Sequence, residues 1–118
     1  MRGLFVVTTD AGAGRQAQEL AEWYQTVHFP DLLSVSGVVS VQLLESIEGP
    51  SPQFLALYEI EGEDLGEVME RIRAGTPRLA DAGRLFDGIE VHMARAFAGR
   101  HSASGPVQGV PVAPGHNG

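Results

Sequence analysis

The sequence predicts an α+β domain in which two helices cover one face of a four-stranded antiparallel sheet. Three observations lead there. Short β-rich runs and helical stripes follow one another as strand, helix, strand, strand, helix, strand. The two middle runs are joined by the turn cluster Glu48-Gly49-Pro50-Ser51-Pro52, which suits an antiparallel hairpin. The chain has 118 residues, enough for one core.

Taken in order, Leu4 to Thr9 reads as a buried strand that Gly12 and Gly14 interrupt. Ala17, Leu20, Ala21, Tyr24 and His28 then recur at helical spacing on one face, flanked by Trp23 and Val27. Pro30 is expected to end that helix, because the residue before a proline is pushed out of the α region. Val38 to Ile47 is the second strand, with Val39, Val41 and Leu43 on one face. Phe54 to Ile60 is the third. Phe54, Ala56, Tyr58 and Ile60 line one side of it, and Leu55 and Leu57 the other.

Asp64 caps the second helix, and Glu67 is placed to complete a capping box. Its apolar face carries Leu65, Val68, Met69 and Ile72, and Gly75 and Pro77 are expected to terminate it. Leu79 to Phe86 reads either as an irregular turn or as a further helical segment. Ile89 to Phe97 is the last strand. Ile89, Val91 and Met93 are expected on one face, Glu90, His92 and Ala94 on the other. The expected domain spans residues 1–98, and residues 99–118, rich in glycine and proline, read as a flexible tail.

This order is the split β-α-β unit used twice, the ferredoxin-like arrangement. The sheet face away from the helices is expected to carry Leu55, Leu57, Val39, Val41, Leu43, Ile89, Val91 and Met93. An apolar patch of that size marks an interface. Two such sheets packed about a two-fold axis would form a homodimer and hide both.

Composition excludes several classes of function. Cysteine is absent, so disulfides and thiolate metal sites are ruled out. A net charge of -7 opposes a phosphate backbone, so no nucleic acid is expected as partner. Arg71, Arg73, Arg78 and Arg84 alternate with Glu67, Glu70 and Asp81, as on a solvated helix face. No apolar run is long enough to span a membrane. Thr8-Thr9-Asp10 follows the first apolar residues too soon for a signal peptide, so a cytoplasmic location is expected. His28, His92, His101 and His116 include no pair with helical metal-ligand spacing, so no metal site is expected. Gly12-Ala13-Gly14 lacks the third glycine of a dinucleotide loop, and no GxSxG elbow is present.

His28 is the first candidate for chemistry. Imidazole exchanges protons near neutrality without a large pKa shift. Its other reading is a cation at a helix C-terminus. Asp31 can orient His28 through a carboxylate–imidazole hydrogen bond or cap the turn before Leu32-Leu33. Tyr24, one turn before His28, can donate to a substrate oxygen or pack in the core. Trp23 reads as structural on its own. Glu90 and His92 share a strand face, either as a second acid/base pair in a pocket or as a polar surface edge.

The run from Trp23 to Leu33 keeps the pattern WYxxxHxPDLL, and Phe54-Leu55-Ala56-Leu57-Tyr58-Glu59-Ile60 follows it. Over residues 3–97 the chain resembles the EthD-like branch of the dimeric α/β-barrel superfamily. It departs in having Ser36 where that family has proline before the glycine of the next strand. The resemblance implies a homodimer with a pocket between helices and sheet in each protomer. Relatives include polyketide cyclases, muconolactone-type isomerases, cofactor-free quinone-forming monooxygenases and haem peroxidases.

The expectation is therefore a cofactor-independent enzyme acting on a small aromatic or polyketide-like molecule. His28 would shuttle a proton, Asp31 would orient it, and Tyr24 would bind an oxyanion. Trp23, Tyr58, Glu90 and His92 would contact the substrate. A non-catalytic binding or accessory module and a haem protein with His28 as axial ligand are the two other readings.

Overall fold

A computed structural model describes residues 1–99. The expected tail beyond residue 99 lies outside the described residues. The strands are β1 (Arg2–Asp10), β2 (Val38–Glu45), β3 (Phe54–Glu61) and β4 (Glu90–Ala98). They form one antiparallel sheet in the order β2-β3-β1-β4. This is the ferredoxin-like order. Between β1 and β2 run α1 (Ala17–Trp23), a π-helical turn (Tyr24–His28) and α2 (Phe29–Leu33); α3 (Leu65–Asp81) joins β3 to β4. No helix among the described residues is long and apolar enough to cross a membrane.

The core lies between the helices and one sheet face. Leu20, Tyr24, Phe29 and Leu32 meet Phe54, Ala56, Tyr58 and Ile60, which alternate along β3 as expected. Val68, Met69 and Ile72 of α3 complete it. Asp64 caps α3 by accepting the Gly66 N–H at 2.8 Å, and Glu67 adds no reciprocal bond of a capping box.

Two expected helix ends do not occur. Pro30 does not stop the first helical run, because the hydrogen-bonding frame shifts just before it. The Phe29 N–H reaches back five residues to the Tyr24 carbonyl, and Pro30 stands in the first turn of α2. A proline there needs no N–H. Likewise α3 continues through Gly75 and Pro77 to Asp81. An interior proline costs a helix about 3 kcal/mol. Here the stripe of Ile72, Thr76 and Leu79 continues along the inner face past Pro77, which is itself exposed.

Two irregularities re-aim side chains. Between β1 and β4 the pairing steps from Thr8↔Met93 to Thr9↔Val91, leaving His92 as the extra residue. Between β2 and β3 it steps from Val38↔Ile60 to Ser40↔Glu59, leaving Val39 extra. Each bulge inverts the alternation beyond it. The expected outer face is corrected accordingly. Val41, Leu43 and Ile89 pack toward the core, and Val91 faces the helix side. The outer face keeps Leu55, Leu57 and Met93 and gains Leu4, Val6, Leu44 and Phe97.

Candidate functional site

The π-helical turn lies over the sheet where Phe5, Val7 and Thr9 alternate along β1. A cavity of about 410 Å³ opens there between helices and sheet. Trp23, Tyr24, His28 and Tyr58, four of the seven residues singled out from the sequence, line it together. Leu85 and Phe86, from the connection between α3 and β4, close its far side.

His28 is held by rings on three sides. Its imidazole stacks on Trp23 at 4.5 Å between centroids with planes 16° apart. Tyr24 and Tyr58 meet it edge-on at 5.7 and 6.2 Å. Its Nδ1 is shut off from solvent and has no hydrogen-bond partner among the described residues. Burial lowers the imidazole from its ordinary 6.5 to about 4, and the nearby Asp31 carboxylate opposes that shift only in part. The ring is therefore neutral at neutral pH, with one nitrogen that donates and one that accepts.

The two tyrosines stay protonated for the same reason: burial pushes both hydroxyls above their ordinary value. Tyr24 Oη lies 2.8 Å from Thr9 Oγ1, deep in the protein. When Thr9 donates in this pair, the Tyr24 proton is free for a ligand oxygen. Thr9 is the one fully buried polar residue of the described core.

Asp31 does not orient His28. Its Oδ2 accepts from Arg84 Nε at 2.7 Å, and it lies outside the cavity. The arginine supplies what the neutral imidazole does not, a full charge and a planar donor fork. Arg84 also accepts the Trp23 indole N–H on its backbone carbonyl at 2.8 Å. Arg15 adds a third tie, donating to the Asp87 carbonyl at 2.7 Å with its guanidinium 4.2 Å over the Phe86 ring. Asp31 thus fastens the segment that closes the cavity.

Glu90 and His92 do not line the cavity either. The β4 bulge turns Val91 toward the helices, so the residues beside it face elsewhere. His92 Nε2 lies 2.8 Å from Asp10 Oδ2, and Asp10 Oδ1 accepts the Gly12 N–H at 2.7 Å. These two bonds hold the Asp10 carboxyl below its ordinary range, His92 contributing most. The donor atoms of Asp10, Glu90 and His92 lie within 4.8 Å of one another and are, among the described residues, the set that could hold a cation. No helical or CxxC-like spacing marks that set in the sequence, since the bulge assembles it.

Phe5, Thr9, Arg73, Thr76 and Phe86 also line the cavity, and none of them stands out in the sequence as a site residue. Two signals were present. Phe5, Val7 and Thr9 alternate on one face of β1, and Ile72, Thr76 and Leu79 keep helical spacing through Pro77.

Fold and cavity together define a ferredoxin-like α+β domain with an aromatic pocket under its first helix. Comparison with known proteins agrees at the level of fold. No protein-family model matches the chain, and no curated protein matches its sequence. Among solved structures it is similar to one described as a "putative monooxygenase" from Shewanella loihica. The TM-score is 0.59 at 13% identity, over 86% of this chain and 99% of that one. At that identity the likeness concerns the fold.

Proposed function

We propose that this chain is a cofactor-independent enzyme of the EthD-like branch, acting on a small aromatic or polyketide-like substrate by proton transfer through His28. The observation that carries this reading is a neutral imidazole among the residues that line an aromatic cavity. Such a ring can take a proton from an acidic O–H or an enolisable C–H, and the substrate keeps the electron pair as a phenolate or enolate. With Thr9 donating to its oxygen, the protonated Tyr24 hydroxyl donates to the oxygen on which that charge collects. Cyclisation, isomerisation, decarboxylation and oxygenation all share this step. The similar structure from Shewanella loihica, described as a "putative monooxygenase", accords with oxygenation as its outcome.

The proposed active domain comprises residues 1–98 and works as a homodimer joined through the outer sheet face. Leu55, Leu57 and Met93 are half-buried there, and Leu4, Leu44 and Phe97 are 43%, 44% and 48% exposed in the single chain.

A second reading is a small-molecule-binding module without chemistry. One observation favours it: an imidazole held at about 4 is a weaker base than a free one. In that case the ring only exchanges a hydrogen bond with the ligand. Wild type and His28→Ala incubated with small-molecule extracts and compared by mass spectrometry separate the two. A product formed by wild type alone supports the enzyme, and its mass change names the reaction. Retention of an unchanged compound by both proteins supports the binding module and sinks proton transfer.

A further inference from the structure

Among the described residues the cavity wall has one cation. Phe5, Trp23, Tyr58 and Phe86 make most of it flat and apolar, and His28 is neutral. Arg73 is the single arginine among its lining residues, one helical turn from Thr76, which also lines it. No carboxylate of the described residues lies within salt-bridge distance of Arg73; the same holds for Arg71, Arg78 and Arg95, and of these four only Arg73 lines the cavity. A guanidinium at the edge of an apolar cavity is strengthened by the low polarity beside it and offers a planar fork that fits a carboxylate. The protein as a whole is acidic, at -7 net charge, so its long-range field does not collect anions; selection for one has to be local.

We infer that the ligand of this cavity is a planar aromatic acid, its ring between the aromatic walls and its anionic group against Arg73 and Thr76. This inference rests on the small-molecule reading above and adds to it the charge of the ligand and the residue that selects it. Arg73 acts as a specificity residue, separate from any proton transfer at His28.

The test is calorimetric titration of the full chain with 2-naphthoate and with 2-naphthamide, which share a shape and differ in charge. Naphthoate is expected to bind about tenfold more tightly, the usual scale of a charge-assisted hydrogen bond at a partly solvated site. Arg73→Gln brings the two to parity, while Arg95→Gln, a change on β4 outside the cavity, keeps the preference. His28→Ala also keeps it, since the charge is read elsewhere. Equal binding of both probes to wild type, or a preference that survives Arg73→Gln, overturns the inference and leaves the aromatic cavity standing. Failure of both probes to bind overturns the inference and the small-molecule reading together.

Discussion

The His28 imidazole lies 4.5 Å from the Trp23 indole with planes 16° apart, although the two residues are an i, i+5 pair. In a regular α-helix such residues point in different directions, since i+3 and i+4 are the neighbours. The i→i+5 bond from the Phe29 N–H to the Tyr24 carbonyl brings them into register. The stack fixes the ring plane while leaving Nδ1 without a partner among the described residues. A buried acceptor or donor left unpaired costs about 1–3 kcal/mol.

His28→Phe keeps the stack and removes the orphaned nitrogen. It is expected to raise stability by about 1 kcal/mol in denaturant unfolding. Under the proposed function the same change lowers turnover about 100-fold or more. A variant that is less stable, or fully active, contradicts the role assigned to this ring.

Stability should fall as pH drops through the interval between 6.5 and 4. The unfolded chain takes up a proton at His28 near 6.5, while the folded chain resists it until about 4. The unfolded state therefore binds more protons in this window, and stability falls with acidification by roughly 3 kcal/mol. Chemical denaturation at several pH values measures this, and His28→Phe should flatten it. Asp10, held below its ordinary 3.8 by His92, contributes stability that is lost only at lower pH. The two windows are separable.

Arg84→Ala removes its side-chain bond to Asp31. The pair is partly exposed, so the expected cost is below about 1 kcal/mol. The larger effect should be on the Leu85–Phe86 segment, whose amides should exchange with solvent faster in hydrogen-exchange measurements. Unchanged exchange there would show that the Trp23 N–H bond to the Arg84 carbonyl suffices.

Gly12→Ala should be severely destabilising. Gly12 has φ of 78°, and a Cβ there would collide with the carbonyl oxygen of Gly88. Backbone meets backbone, so no rotamer change relieves the contact. An expected loss of about 2 kcal/mol or more would be read as a lower melting midpoint. A midpoint equal to wild type would mean that the segment after Phe86 has moved.

Leu57→Glu probes the proposed dimer. Leu57 sits opposite Val6 and Gln42 on the outer face. A carboxylate buried without a partner at that interface would oppose association, so the variant should sediment as a monomer where wild type sediments as a dimer. Identical sedimentation of the two proteins would place the interface elsewhere.

Much of this protein was legible in local pattern. Alternation along β3, the helical spacing of Leu20, Tyr24 and His28, and the cap at Asp64 need only near neighbours in the chain, and they determined the element order and the ferredoxin-like fold. The WYxxxHxPDLL run likewise brought Trp23, Tyr24 and His28 to notice. Tertiary structure decided the rest, because it depended on partners far away in sequence. Bulges at Val39 and His92 arise from pairing between strands, and they moved Val41, Ile89 and Val91 to the helix side and Glu90 and His92 away from the cavity. Asp31 turned to Arg84, 53 residues on, because a permanent cation outcompetes a neutral imidazole for a carboxylate. Pro30 and Pro77 end helices by local rule, and here a frame shift and the packing of Ile72 and Leu79 overrode that rule.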